Sequence, residues 1–124
     1  MSPLDRPLAG ELRIHDLAEE RDNTAAAPSG AGRMARTLVK EGPLRVTLVV
    51  VEPGGTIAEH HAPGPITVQP LDGRLAFTAL GATHEIGPGQ LLSLGSGIRH
   101  ALSSADGCSF LLTHGQPSAD AGGD

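Results

Sequence analysis

The sequence predicts an all-β domain, a small antiparallel sandwich or barrel. Short β-type segments follow one another from about residue 34 onward, and turn signals separate them about every 8 to 12 residues. The 17 glycines and 10 prolines suit the tight corners of such a fold. No segment with the helical spacing of apolar residues extends beyond a turn or two.

The predicted strands can be given in chain order, each with its turn. "MARTLVK" precedes the turn "EGP", and "LRVTLVVVE", which alternates apolar residues such as Val46 and Leu48 with Arg45 and Thr47, precedes "EPGG". The strands "TIAEHH", "ITVQPL", "RLAFTAL" and "HEI" follow, separated by "APGP", "LDG" and "LGA". The last three are "LLSL", "IRHALSS" and "CSFLLTH", introduced by "GPGQ", "GSG" and "ADG". Upstream, "ELRIHDLAEERDN" indicates one turn of helix or a short edge strand.

These patterns divide the chain into three regions. Residues 1–33 form an N-terminal arm and flexible loop, since "TAAAPSGAG" at 24–32 contains mainly small residues. Residues 34–114 form the β-barrel. Residues 115–124 form a disordered tail, because "GQPSADAGGD" offers nothing large and apolar to bury.

Composition narrows the class of protein. The 124 residues suffice for one domain, and only Phe77 and Phe110 are aromatic, so Val, Leu, Ile and Ala must build most of the core. A net charge of −5 argues against nonspecific nucleic-acid binding. Seven of the nine basic residues lie within the first 45 positions, and because they are dispersed there we interpret them as solvated surface. The single cysteine, Cys108, excludes an internal disulfide. Without a signal-peptide pattern or a long apolar run, we expect a soluble cytoplasmic protein that does not associate with membranes.

Polar chemistry is concentrated around the histidines. His60 and His61 lie together in "TIAEHH", and strand alternation places one of them inward unless a bulge disturbs it. His100 shares a face with Ile98 and Leu102 and is expected to point into the interior. A lone inward histidine is usually a core residue hydrogen-bonded to backbone, whereas two that converge favour a metal site. His114 is interpreted as a surface residue, although it shares the parity of inward-facing neighbours.

Residues 54–73 resemble the first sequence motif of the cupin superfamily. That motif runs Gly, five residues, His, one residue, His, three or four residues, Glu, six residues, Gly. Gly54, His60 and Gly73 match it, but Ala62 stands at the second histidine and Ile66 at the glutamate. The segment "HAPGPITVQPLDGRLAF" is also similar to a branch of small single-domain, conserved-barrel cupins.

Residues 89–104 resemble the second cupin motif, which runs Gly, five residues, Pro, one residue, Gly, two residues, His, three residues, Asn. Gly89, Gly97 and His100 match it, with Gly95 in place of the proline and Ser104 in place of the asparagine. The two motifs in order imply a double-stranded β-helix, the jelly-roll or cupin barrel.

The resemblance implies a divalent metal, Zn, Fe, Mn or Ni, in a reduced site. Of the four usual ligands only His60 and His100 remain, and a third donor could come from His61 or from Glu59. The residues expected to line the pocket are apolar: Ala62, Ile66, Val68, Ile98 and Leu102.

Three functions stay open at this stage. A metalloenzyme of unassigned reaction on small molecules is the first, and a metal-free barrel that binds or senses a small molecule is the second. The third is a degenerate barrel kept for assembly. The resemblance also implies a homodimer, in which "MARTLVKEG" or residues 8–17 could be exchanged between subunits.

Overall fold

The computed structural model describes residues 12–26 and 32–115, which form one helix and nine strands. The helix α1 spans Leu17–Ala25. The strands are β1 (Arg33–Glu41), β2 (Leu44–Val51), β3 (Gly55–His60), β4 (Ile66–Gly73), β5 (Leu75–Ala79), β6 (Ala82–Ile86), β7 (Leu92–Leu94), β8 (His100–Ser104) and β9 (Cys108–His114). Every strand pairing is antiparallel, so the predicted all-β fold class is confirmed.

The strands form two sheets. One contains five strands in the order β1-β2-β9-β4-β7, and the other contains four in the order β3-β8-β5-β6. The buried core draws on both sheets: Val49, Val68 and Phe110 come from the first, and Phe77 and Leu102 from the second. The two phenylalanines are each 1% exposed, one from each sheet, in an otherwise aliphatic core. This is the sandwiched core of a double-stranded β-helix.

The helix was not predicted at this length. Instead of one turn or a short strand, α1 runs for nine residues inside the predicted arm, and its last two, Thr24 and Ala25, fall in the predicted loop. Asp16 caps its first turn, where the side chain accepts a 3.1 Å hydrogen bond from the amide of Glu19. No apolar stripe marks the helix, because the residues that it buries are Glu20 and Thr24.

Polar contacts fasten α1 to the outside of the five-stranded sheet. Arg21 donates to the carboxylate of Asp72 on β4 at 2.7 Å, and the hydroxyl of Ser109 on β9 donates to the same Asp72 oxygen. Arg36 on β1 donates to Glu20 at 3.1 Å. Leu48, on the face of β2 opposite the core, is fully buried, and α1 packs against that strand. The helix therefore covers an outer apolar face of the sheet.

The nine predicted strands all appear, with shifted boundaries. The predicted turn "LDG" at 71–73 belongs to β4, whose register against β9 shifts between Pro70 and Asp72. The barrel strands extend from 33 to 114, close to the predicted 34–114. The tail beyond Gly115, residues 1–11 and residues 27–31 lie outside the described residues.

Within the described residues, no helix is long and apolar enough to cross a membrane. Strand β1 forms one edge of the five-stranded sheet, which is where exchange of "MARTLVKEG" between two subunits would take place. The homodimer itself stays a prediction.

Candidate functional site

A β-bulge decides which of the adjacent histidines faces the interior. Strand β3 pairs with β8 in a regular register from Gly55 to Ile57, and the register then shifts by one residue before His60 pairs with His100. An unbroken ladder would place Glu59 opposite His100. The surplus residue lets Ile57 and His60, three positions apart, both line the interior cavity.

The two histidine rings are in contact, and each is oriented by a hydrogen bond to the backbone. Their centroids lie 4.3 Å apart in an edge-on arrangement. Nδ1 of His60 is 2.9 Å from the carbonyl oxygen of Ala58, and Nδ1 of His100 is 2.9 Å from that of Ile98. Because a carbonyl oxygen only accepts, both Nδ1 atoms carry the proton. In each neutral ring the lone pair is therefore on Nε2.

The environments of these two rings differ. His100 is 3% exposed and stacks on Phe77, with centroids 5.2 Å apart and ring planes inclined by 11°. His60 is exposed at the end of β3. One ring is thus fixed in the wall of the barrel, and the other is accessible from outside.

His114, predicted from the sequence to lie on the surface, is a third histidine that lines both cavities. It ends β9, where it pairs with Arg45 on one side and Ile66 on the other. It is half-buried, and within the described residues its buried Nδ1 has no hydrogen-bond partner. The parity that it shares with Phe110 and Leu112 was the signal that could have found it.

Burial and mutual repulsion act on the two less exposed rings. Burial is the main cause that lowers the pKa of His100; the hydrogen bond to Ile98 opposes it, while His60 and His61 lower the pKa further. Burial also lowers the pKa of His114, with added repulsion from Arg45 and from the other two cavity histidines. Both rings therefore favour the neutral form more than an exposed histidine does.

The histidines line two overlapping cavities at the open end of the barrel. The outer one has a volume of about 690 Å³, and the inner one about 290 Å³. Six residues line both: Arg45, His60, Ile66, His100, Leu112 and His114. A molecule that enters the outer cavity meets the histidines before it reaches the apolar interior, which is closed by Phe77 and Phe110.

The expected third donors do not join the pair. His61 is exposed on the rim of the outer cavity. Glu59 is turned outward and accepts a 3.0 Å hydrogen bond from Arg99, with both side chains 61% exposed. In the described part of the chain, no three side chains of His, Cys, Asp or Glu are grouped so that they could hold a metal ion.

Most of the apolar residues expected at the pocket are there. Ala62 lines the outer cavity, Val68 and Leu102 line the inner one, and Ile66 lines both. Ile98 instead packs against the core as a partly buried residue. Ala62 and Ile66, which replace the second histidine and the glutamate of the first cupin motif, therefore contribute apolar wall where metal ligands would stand.

Basic side chains at this opening were missed. Lys40 and Arg45 line the outer cavity, and Arg45 also lines the inner one, as does Arg33. Their dispersal along the sequence had predicted solvated surface. Arg45 has the parity of Thr47 and Val49, which line the inner cavity, so its strand carries it to the mouth of the barrel.

Comparison with known proteins gives the fold its family. No family model and no curated protein matches the sequence. Among solved structures, a cupin superfamily protein from Desulfitobacterium hafniense matches with a TM-score of 0.71 and 14% identity, over 89% of this chain and 96% of that one. The chain has the cupin fold.

Two further structures support this assignment. A conserved protein with a double-stranded β-helix domain from Klebsiella pneumoniae matches with a TM-score of 0.72 and 18% identity, over 88% of this chain and 94% of that one. A conserved protein of unknown function from Streptococcus pyogenes matches with a TM-score of 0.71 and 26% identity, over 91% and 95% of the two chains. The resemblance to cupins drawn from the two motifs is confirmed at the level of the fold.

Proposed function

We propose that this cupin barrel binds a small molecule at its open end, without a tightly held metal, and that His60, His100 and His114 supply the polar contacts. The observation that carries the proposal is the pair of overlapping cavities that share these three histidines. A concave apolar site with a few convergent polar groups is the usual form of a small-molecule site.

The hydrogen-bonding capacity of the site favours this function. In their neutral forms, His60 and His100 each present Nε2 as an acceptor, since Nδ1 is engaged with a backbone carbonyl. The Nδ1 atom of His114 is buried without a hydrogen-bond partner, which costs free energy. A ligand that formed a hydrogen bond with it would remove that cost. Phe77 and Leu112 supply apolar surface next to these groups.

The residues present do not fit a tightly held metal. A catalytic zinc takes three protein ligands and a structural zinc takes four, whereas the two motif positions next to His60 are occupied by Ala62 and Ile66, neither of which can donate. His100 and His60 alone leave most of the coordination sphere to other molecules, and within the described residues His114 is not grouped with them so that the three could hold an ion. We therefore assign no chemistry to a metal in this site.

A weakly held divalent ion on the two Nε2 atoms is the second candidate function. It is favoured by one observation: a histidine whose Nδ1–H donates to a backbone carbonyl is oriented as metal-ligating histidines are. Such a site would be easily stripped, and Zn, Fe, Mn or Ni could each occupy it.

One experiment separates the two candidates. The imidazole resonances of the histidines are followed by NMR, first with a panel of small neutral and charged fragments in the presence of EDTA, then with Zn²⁺, Ni²⁺ and Mn²⁺ alone. We expect fragments to shift the signals of His60, His100 and His114, and not that of His84, which is exposed on β6. The proposal would be overturned if no fragment shifted these signals, or if a stoichiometric metal complex survived dialysis.

His100→Asn and His84→Asn form a matched pair for that experiment. The first removes a buried ring from the cavity wall, and the second removes an exposed ring on another strand. Loss of fragment binding is expected only in the first. Circular dichroism on both variants establishes that they are folded.

A further inference from the structure

The charged side chains that line the two cavities are all basic. Lys40, Arg45 and His61 line the outer cavity together with the three cavity histidines, and Arg33 lines the inner one. No Asp or Glu is among the residues that line either cavity. This contrasts with the whole chain, which carries a net charge of −5.

Two of these cations form no ion pair within the described residues. Lys40 and Arg45 face each other as paired residues of β1 and β2, and neither forms an ion pair with any residue that the structure describes. Glu59 on β3 is turned outward and paired with Arg99, and Glu41, next to Lys40 at the exposed end of β1, lines neither cavity. Two adjacent like charges without a counter-ion repel each other, and an anion between them removes that repulsion.

The placement of polar and apolar walls gives the ligand a direction. Lys40 lines only the outer cavity and Arg45 lines both, whereas Val68 and Phe77 line only the inner one. A ligand whose charged group lay at the rim would therefore direct its apolar part toward the inner cavity.

We propose that the molecule bound by this barrel is a small organic anion, a carboxylate or phosphate ester, whose charged group lies between Arg45 and Lys40 and whose apolar part enters the inner cavity. This inference rests on the proposed function, since it names the ligand class of the same site. Arginine suits the role because its planar guanidinium donates two parallel hydrogen bonds to a carboxylate or phosphate.

The test uses three probes of nearly equal size: hexanoate, its neutral isostere hexanamide, and the cation hexylamine. Binding to the full chain is measured by NMR shifts of the cavity histidines and by isothermal titration calorimetry. Hexanoate is expected to bind at least tenfold more tightly than hexanamide, as a charge-assisted hydrogen bond requires, and hexylamine should not bind. Hexyl phosphate in a fourth titration tells a preference for phosphate from one for carboxylate.

Arg45→Gln and Arg99→Gln form the matched variants, because each removes one positive charge from the chain. Arg45 lines both cavities, whereas Arg99 pairs with Glu59 outside them. Hexanoate affinity should fall about tenfold or more in the first variant and change less than about twofold in the second. Equal losses in both would overturn the inference, because they would indicate only a long-range effect of net charge.

The outcomes distinguish this inference from the function on which it rests. If hexanamide shifts the cavity histidines and binds as tightly as hexanoate, the barrel binds small molecules but the anion preference is wrong. If no probe or fragment shifts those histidines, both proposals are wrong. If hexanoate binds and Arg45→Gln weakens it selectively, both are supported.

Discussion

Gly73→Ala should be among the most destabilising single substitutions in the barrel. Gly73 ends β4 at a φ of +71°, a conformation that side chains disfavour. An added Cβ there would overlap the carbonyl oxygen of Gly107 and would lie 2.8 Å from Cα of Cys108. The obstacle is backbone, which cannot rotate away as a side chain could.

Two costs add at this position. Placing a residue with a Cβ in the left-handed region costs roughly 1–2 kcal/mol, and forcing atoms into a packed region costs about 1–3 kcal/mol more. The expected loss is about 2–5 kcal/mol in the free energy of unfolding. At about 4 °C per kcal/mol for a domain of this size, the midpoint of thermal unfolding should fall by roughly 8–20 °C.

Gly97→Ala is the control, because it carries only the first cost. Gly97 has a φ of +74°, but nothing lies within 4 Å of an added Cβ. Its loss should be about 1–2 kcal/mol. Urea unfolding followed by far-ultraviolet circular dichroism measures both variants, since the chain has no Trp or Tyr for fluorescence. If the two variants lose the same stability, the clash at Gly107 is not real and the packing argument fails.

Three further predictions concern stability. Leu80→Asn should stabilise the protein by about 1 kcal/mol, because Leu80 occupies the β5–β6 turn at a φ of +53° and is 79% exposed. Leu80→Val should destabilise the protein. Thermal unfolding measures both variants, and the opposite ranking of their midpoints would contradict this prediction. Burial raises the pKa of Asp72, but hydrogen bonds from Arg21 and Ser109 outweigh it and leave the pKa lowered. The contribution of Asp72 to the free energy of unfolding should therefore be fully present above about pH 4, and it should be lost as the pH falls through the lower pKa of the folded state. Asp72→Asn should flatten that acid loss in urea titrations at several pH values, whereas Asp106→Asn in the exposed β8–β9 turn should not. The lowered pKa values of His100 and His114, caused mainly by burial, mean that the unfolded chain takes up protons first, near its ordinary pKa of about 6.5. The free energy of unfolding should therefore be highest above that pH with respect to these two groups and should decline below it. If the double variant His100→Asn, His114→Asn shows the same decline as the wild type, these two histidines are not its cause.

The strands could be predicted because their signals are local. Each carries period-two alternation, and glycines that adopt positive φ, such as Gly73 and Gly97, mark the turns between strands. The inward side of β8 followed from the same rule, and the structure places His100 and Leu102 there as buried residues. The cupin fold follows from these turns and from the motif histidines together.

The helix and the cationic rim could not be predicted, and one cause links them. Helix α1 is held by Arg21, Glu20 and Thr24 instead of an apolar stripe, so periodicity cannot reveal it. Because the helix covers the outer face of β2, that strand has apolar residues on both faces. The sequence alone then does not show that the face with Arg45 is the one that lines the cavity.

The choice between His60 and His61 could not be predicted either. Alternation assigns opposite faces to neighbours, but it does not specify where a strand gains a residue. The register shift between Ile57 and His60 is a property of the pairing with β8, and only the folded ladder shows it.

That register shift also determines which side chain of β3 stands opposite His100. Straightening β3 without shortening it would turn Glu59 toward His100 and put a carboxylate where an imidazole now stands. Deleting Ala58 would instead give a regular ladder that keeps the two imidazoles opposed. In this barrel, a shift of register by one residue would thus replace an imidazole with a carboxylate in the cavity wall, with no change in the length of the strand or in the side chains available.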